Sequence, residues 1–401
     1  MGLRILHIST RLILGGSQEN VVLSCEGQTE RGHEVHLAYG PIYGPEGSML
    51  DRVTAWRSSE GQGIETHEVP DMVRELSPIR DRRCLKQLTA LIRDLRPDIV
   101  HTHSSKAGIL GRMASWKAGG RDGRLGVVHT IHGPPFHRYE KVWRNLLYVA
   151  SERLAARRCH AIVSVCDAMT EQFRAAGIGR SEQYTTVRSG METGPYLQAV
   201  SDDERTTRRG AIGLEPGDFV VGTVSRISDL KGHSEVIEAC APLMGERPEF
   251  KLLWVGDGWL RESLEIRLEE LGLRDRVVIT GMVAPRDVPG LMKLMDVLVH
   301  PSYREGLPRA VVQGMLRGLA VVATDVDGTP EVCIDGETGL SYSPGDTSAL
   351  REHLQRLLDD ESLRRELGER ARAHCRETYS AERMVDETEK VYARVLEGLR
   401  G

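Results

Sequence analysis

The chain has 401 residues, 40% of them apolar and 28% charged, with a net charge of -5. At roughly 100–200 residues per domain this calls for two or three domains, each large enough to bury a core. The composition is that of a soluble globular protein, and the lack of any run of about 18 apolar residues excludes a membrane-spanning helix.

The opening "MGLRILHIST" leads straight into a strand pattern and lacks the basic and long apolar regions of a signal peptide. The seven cysteines are odd in number, scattered and never in a CxxC pair, which argues for reduced thiols and against a structural zinc site. A cytoplasmic protein is therefore expected, with peripheral contact at the inner membrane face as an option. Residues 1–200 hold 26 Lys and Arg against 21 Asp and Glu, whereas residues 201–401 hold 27 against 37. Within 101–150 there are eight basic residues and only two acids, Asp122 and Glu140. That stretch reads either as a solvated basic face or as a face that meets an anionic partner such as a lipid phosphate surface.

In chain order the strand candidates are 4–9, 34–39, 98–103, 127–132 and 161–165, then 218–225, 250–256, 276–281, 296–301 and 319–324. Most are continuously apolar rather than alternating, as expected for parallel strands covered by helices on both faces. Helix-length segments separate them, which predicts repeated βαβ units. The pattern occurs twice, so the fold class is α/β with two doubly wound Rossmann-like domains. The first is expected over 1–190 and the second over 204–381, with a Gly/Pro-containing linker at 191–203. The last helical segment, about 382–401, begins after Ser380, a suitable N-cap. Ligands of such sheets bind beyond the carboxyl ends of the strands, so a ligand is expected in a cleft between two facing domains.

Residues that could carry chemistry do follow strand ends. After strand 4–9, Gly15 and Gly16 open a helical pattern, a turn that lets backbone N–H groups approach a phosphate but that any tight turn could also use. Strand 98–103 carries His101 and His103 at its end and is followed by Ser104 and Lys106. His132 ends strand 127–132. Several histidines invite a metal site, but no carboxylate or cysteine accompanies them at ligand spacing. "RISDLKGH" places Arg226 and Lys231 before a helix, and two cations at a strand end suit a diphosphate. "TDVDG" (324–328) imitates the Asp-x-Asp of metal-dependent transferases, yet it lies where Asp and Gly are ordinary turn formers. No metal and no cofactor are expected.

The stretch "EGLPRAVVQGMLRG" (305–318) puts a carboxylate, Glu305, between a buried strand and a helix. Gly306 and Leu307 offer backbone N–H groups at that helix N-terminus. An acid that can accept from sugar hydroxyls, free N–H groups and nearby cations together suit a sugar diphosphate.

With "GGSQE", "RGHEV", "HTHSSKAGILGR", "HTIHG", "SRISDLKGH", "VGDGWLRESLE" and "EGLPRAVVQGMLRGLAVVATDVDGTPEV" in this order, the chain resembles the retaining glycosyltransferases of family 4, which have the GT-B fold. The resemblance implies that the final helix crosses back onto the first domain. It implies that Glu305 holds hydroxyls of the donor sugar, and that Arg226 and Lys231 bind the diphosphate with Gly16 and the N–H groups of Gly306 and Leu307. The loop around Met282 would cradle the nucleobase, and His132 would approach the donor sugar near the reaction centre. Ser104, Lys106 and the 134–138 loop would lie on the acceptor side. The family motif usually has a second Glu eight positions after the first; here it is Gln313, which keeps an acceptor oxygen for the ribose hydroxyls. Gln313 therefore points to altered nucleotide recognition rather than to lost catalysis.

The activity implied is metal-independent transfer of a hexose or N-acetylhexosamine from a UDP- or GDP-sugar to an acceptor hydroxyl, with retention, in cell-envelope polysaccharide, glycolipid or related glycoconjugate synthesis. A lipid-linked or anionic acceptor is one option, and nucleic acid is not an expected partner. The rival readings are a nucleotide-sugar epimerase of the same architecture, which needs no acceptor, and a non-catalytic nucleotide-sugar-binding relic, which only Gln313 favours.

Overall fold

The computed structural model describes residues 2–44 and 47–400. The chain forms two compact units: Met1–Met191 with Ser380–Gly401, and Glu192–Tyr379. In the first unit the strands are β1 (Arg4–Ser9), β2 (Glu34–Tyr39), β3 (Glu65–Glu68), β4 (Ile99–His103), β5 (Gly126–Ile131), β6 (Ala161–Ser164) and β7 (Tyr184–Thr186). Its helices are α1 (Gly16–Glu30), α2 (Leu50–Ala55), α3 (Pro78–Leu95), α4 (Ser105–Ala118), α5 (Val142–Ala156) and α6 (Asp167–Ala175). In the second unit the helices are α7 (Gly194–Leu197), α8 (Asp202–Ala211), α9 (His233–Glu246), α10 (Arg261–Glu270), α11 (Val288–Met292), α12 (Arg309–Arg317), α13 (Thr347–Asp359) and α14 (Glu361–Thr378). They surround β8 (Phe219–Val224), β9 (Phe250–Val255), β10 (Val277–Ile279), β11 (Val297–His300), β12 (Ala320–Thr324) and β13 (Leu340–Tyr342). Helix α15 (Ala381–Arg400) closes the chain on the first unit.

Each sheet is parallel. The first runs β3-β2-β1-β4-β5-β6-β7 and the second β10-β9-β8-β11-β12-β13. All ten strands expected from apolar runs form, within two residues of their expected ends. Three more, β3, β7 and β13, are three or four residues long and lie at sheet edges. "ETHE" and "YTT" carry no apolar run, because an edge strand needs only one paired flank. β1 and β4 show the opposite case: every residue from Ile5 to Ser9 and from Ile99 to His103 is buried.

Helix α15 joins the first unit through one face. Met384, Val385, Thr388, Val391, Tyr392 and Val395 are buried, a spacing of three and four residues that keeps them on one side of a helix. All of these but Thr388 share a core with Ile5, Leu23, Ile99 and Val128. Ser380 Oγ accepts the Arg383 N–H at 3.1 Å, so the cap read from sequence starts this helix. Among the described residues no helix is long and apolar enough to cross a membrane.

The strand orders matter for function. Both sheets reverse direction of winding once: between β1 and β4 in the first, and between β8 and β11 in the second. At such a switch point the helices leave toward opposite faces and open a crevice at the carboxyl ends of the strands, where ligands of open α/β sheets bind.

Candidate active site

At the switch point of the second sheet, the loop after β8 meets the loop after β11. Tyr303 N–H donates to Leu230 O at 2.9 Å, and α9 starts against Pro301. Only glycine fits at 232: its φ is +68°, and a Cβ there would stand 2.1 Å from the Pro301 carbonyl oxygen. This close approach sets Lys231 beside Glu305. Lys231 Nζ donates to Glu305 Oε1 at 2.5 Å and lies 3.3 Å from Ser302 Oγ, while His300 Nε2 donates to the same carboxylate oxygen at 3.0 Å. Burial alone would raise the Glu305 pKa; the charge of Lys231, with the hydrogen bond and charge of His300, outweighs it and holds the carboxyl well below the usual range. Glu305 is thus an anion held in place by two donors.

The backbone under this acid is also held. Glu305 N–H donates to Asp327 Oδ2 at 2.7 Å. Asp327 belongs to "TDVDG", and its carboxylate serves Glu305. Leu230, Asp327 and, in the first unit, Ser104 adopt φ of 63°, 46° and 62°. Left-handed backbone costs a non-glycine residue about 1–3 kcal/mol and gathers where function requires it. Among the described residues, three of the four such non-glycine residues lie at these strand ends. Arg226 is exposed and makes no ion pair or hydrogen bond among the described residues. Leu307 is buried, and Gln313 lies half-buried in α12 with no side-chain hydrogen bond among the described residues. Met282 is 61% exposed on the loop after β10.

At the switch point of the first sheet stands a column of histidines. His7 of β1 pairs in register with His101 of β4, so imidazoles from adjacent strands meet on one face, with ring centroids 5.2 Å apart and a 38° tilt. Gln28 Oε1 accepts from His7 Nε2–H at 2.7 Å. His7 Nδ1 and His103 Nε2 are 2.9 Å apart, and His103 Nδ1 and His132 Nε2 are 3.1 Å apart. Burial pulls the His7 pKa down to about 4, against the hydrogen bond that His7 donates to Gln28, and pushes His101 and His103 well below their usual value. Each ring is therefore neutral near pH 7 and carries one N–H. With the Gln28 oxygen toward His7, the chain has one polarity: His103 Nε2–H donates to His7, and His132 Nε2–H donates to His103. The amide's other end donates to Tyr392 OH at 3.2 Å, and the phenol bonds His101 Nδ1 at 2.6 Å. His101 Nε2 completes the path on Thr130 Oγ1 at 2.6 Å. Helix α15 thereby orients imidazoles that lead to His132.

The nitrogens of His7, His101 and His103 lie within 4.8 Å of one another, as do ligand atoms of His36, Glu65 and His67 on β2 and β3. In the first trio both nitrogens of every ring already serve a hydrogen bond. In the second, His36 bonds His67 at 3.0 Å and Glu34 at 3.1 Å.

Gly15 and Gly16 are exposed, with α1 starting at Gly16. Ser104 Oγ bonds Thr10 Oγ1 at 2.8 Å, tying the ends of β4 and β1. Lys106 Nζ donates to Glu75 O at 2.7 Å and lies 2.5 Å from Asp81 Oδ1. Sequence reading brought Lys231 and Glu305 into one site but not into one ion pair, and it passed over His300, His7, Gln28 and Tyr392. His300 and His7 carried a usable signal, a polar residue inside an apolar strand.

Residues 15–190 match the family described as "Glycosyl transferase 4-like domain", and residues 204–374 match "Glycosyl transferases group 1". The chain is 30% identical to N-acetyl-alpha-D-glucosaminyl L-malate synthase of Bacillus anthracis, over 92% of this chain and 91% of that one. It is 26% identical to the UDP-Gal:alpha-D-GlcNAc-diphosphoundecaprenol alpha-1,3-galactosyltransferase of Escherichia coli, over 90% of this chain and 89% of that one. The crystal structure of HepE from Anabaena, in complex with UDP and glucose, superposes with a TM-score of 0.80 at 20% identity, over 98% of this chain and 100% of that one. The fold is GT-B, and the chain belongs to the group 1 glycosyltransferases of family 4.

Proposed function

We propose that the protein moves a hexose or N-acetylhexosamine from a UDP- or GDP-sugar to an acceptor hydroxyl, with retention and without a metal. The observation that carries this reading is the Glu305 carboxylate, ionised and fixed by Lys231 and His300 at the second switch point. An oriented carboxylate accepts from sugar hydroxyls, and the exposed Arg226 with the α12 N-terminus suits a diphosphate. That HepE was crystallised with UDP and glucose supports a nucleotide-sugar donor. The names of relatives in capsule and lipid-linked sugar synthesis support a role in cell-envelope polysaccharide or glycoconjugate assembly and an acceptor carried on lipid. The family match does not favour the epimerase or the non-catalytic relic.

In the front-face path implied by the family, the C1–O bond to the leaving phosphate breaks as the acceptor oxygen bonds C1 on the same face. The acceptor proton passes to a phosphate oxygen. Negative charge builds on the pyrophosphate, where Arg226, Lys231 and the N–H groups of Gly306 and Leu307 stabilise it. His132 and Glu305 position the sugar, Gln313 takes the ribose hydroxyls and the loop at Met282 takes the base. Gly15 and Gly16 add N–H groups, and Ser104 and Lys106 lie toward the acceptor.

A thermal-shift panel of UDP, GDP and their sugars tests the donor class, because a ligand bound to the native state raises the apparent Tm. One base raises the Tm of the wild type, and Arg226→Ala cuts that shift at equal concentration. EDTA leaves both the shift and turnover unchanged. Strict dependence on a divalent ion would refute the metal-free reading and return the histidine column and "TDVDG" to consideration.

A further inference from the structure

Helix α5 is built the wrong way round for a surface helix. Its buried residues are Glu152, Ala155 and Ala156, while its outward face carries Val142, Trp143, Leu146, Leu147, Ala150 and Leu154. Val142 is 76%, Trp143 59% and Leu146 67% exposed. Positions 143, 146, 147, 150 and 154 recur at three and four residues, so they share one face. No residue from Val142 to Leu147 is buried. The whole first half of the helix thus spends its apolar surface on water, and a contiguous patch of this kind marks a binding surface rather than chance exposure.

The surroundings select the occupant. From 137 to 158 there are six Lys and Arg against two acids. One acid, Glu152, is buried on the opposite face against Arg112, and the other, Glu140, lies 3.5 Å from Arg144. Arg138, Lys141, Arg144, Arg153 and Arg157 are exposed around the apolar stripe, and Arg144 sits 5.3 Å from the Trp143 ring. An apolar stripe with a tryptophan and a basic rim is the pattern of a helix that lies in a membrane interface. A second apolar point continues the same helical layer: α4 packs between α3 and α5, and at the start of α3 Leu76 and Ile79 stand exposed among Arg74, Arg80, Arg82 and Arg83. A protein partner would need matching acids at each cation, whereas an anionic bilayer meets all of them with one surface.

We infer that α5 docks the protein on an anionic lipid bilayer, with Trp143, Leu146 and Leu147 inserted and Arg138, Lys141, Arg144 and Arg157 at the headgroups. This deepens the proposed lipid-borne acceptor and rests on that reading for its purpose. Of the eight basic residues within 101–150, Arg138, Lys141 and Arg144 border this stripe. Lys106 is paired with Asp81, and Arg112 is buried with Glu152.

The test is co-sedimentation of the full-length protein with vesicles of phosphatidylglycerol and phosphatidylcholine, beside vesicles of phosphatidylcholine alone. At low salt the wild type should bind the anionic vesicles at least tenfold more tightly, and half-molar salt should remove most of that difference. Leu146→Ser with Leu147→Ser should weaken binding tenfold or more. Its far-UV CD, Tm and nucleoside-diphosphate shift should match the wild type, since both leucines face outward. Equally poor binding to both vesicles overturns the inference. So does a solution dimer that the double substitution dissociates, because the face would then be covered by a second copy. Vesicle binding without any nucleoside-diphosphate binding would uphold the docking surface and sink the donor reading instead.

Discussion

Glu305→Gln lowers kcat by about 100-fold or more, the scale of losing one oriented electrostatic contact in a transition state. The substitution keeps size and one acceptor oxygen, but it removes the charge that Lys231 and His300 hold at 2.5 Å and 3.0 Å. Nucleoside-diphosphate affinity stays close to the wild-type value, because Lys231 and Arg226 remain. Steady-state kinetics on the same donor checks both statements, and wild-type turnover in the variant rules the assignment out. The pH dependence has a defined sign. Burial raises and Lys231 with His300 lowers the Glu305 pKa, with a net fall, so the carboxylate is ionised throughout the neutral range. The stability it contributes is fully present above the unfolded carboxylate pKa of about 4.3, and is lost only as pH falls below that value toward the lower folded pKa. An acid limb of activity between pH 5 and 7 therefore belongs to another group.

Glu152→Ala destabilises the protein by about 3–5 kcal/mol, the cost of leaving one member of a buried ion pair without its partner. Arg112 Nη2 lies 2.6 Å from Glu152 Oε2, with side-chain exposures of 1% and 2%. Arg112 Nε is also satisfied, by Gly108 O at 2.8 Å. The pair ties α4 to α5 beneath the outward apolar stripe. Urea unfolding followed by CD measures the loss. Replacing both residues together, Arg112→Met with Glu152→Leu, recovers most of it, since the desolvation cost disappears with the charges. The exposed pair Arg180–Glu182, at 71% and 69%, sets the contrast: removing either member leaves the stability close to that of the wild type. A Glu152→Ala protein as stable as the wild type would mean that this pair is not buried in solution.

The parallel sheets were legible because a strand buried on both faces leaves a continuous apolar run, as in "DVLVHP" and "LAVVAT". The edge strands β3 and β7 were not, since "ETHE" and "YTT" have no such run. Strand-end logic located Glu305, Lys231 and His132. It could not show that Lys231 and Glu305, 74 residues apart, share one ion pair, because that depends on the approach of Gly232 to Pro301. Charge counting could not separate Arg112 from the exposed cations of 101–150 for a related reason: its partner lies 40 residues on, and a charge pattern does not say which side of a helix faces inward. The apolar stripe of α5 was written in "VWRNLLYVASERL", but only the buried face of the helix reveals that the stripe points outward.

The most direct test of the central claim is time-resolved NMR of the sugar product formed from an α-linked nucleotide-sugar donor. The account predicts release of the nucleoside diphosphate with the α-anomeric signal appearing first, in the presence of EDTA, and its near absence with Glu305→Gln. A β-anomeric signal appearing first, or turnover indifferent to Glu305, would contradict it.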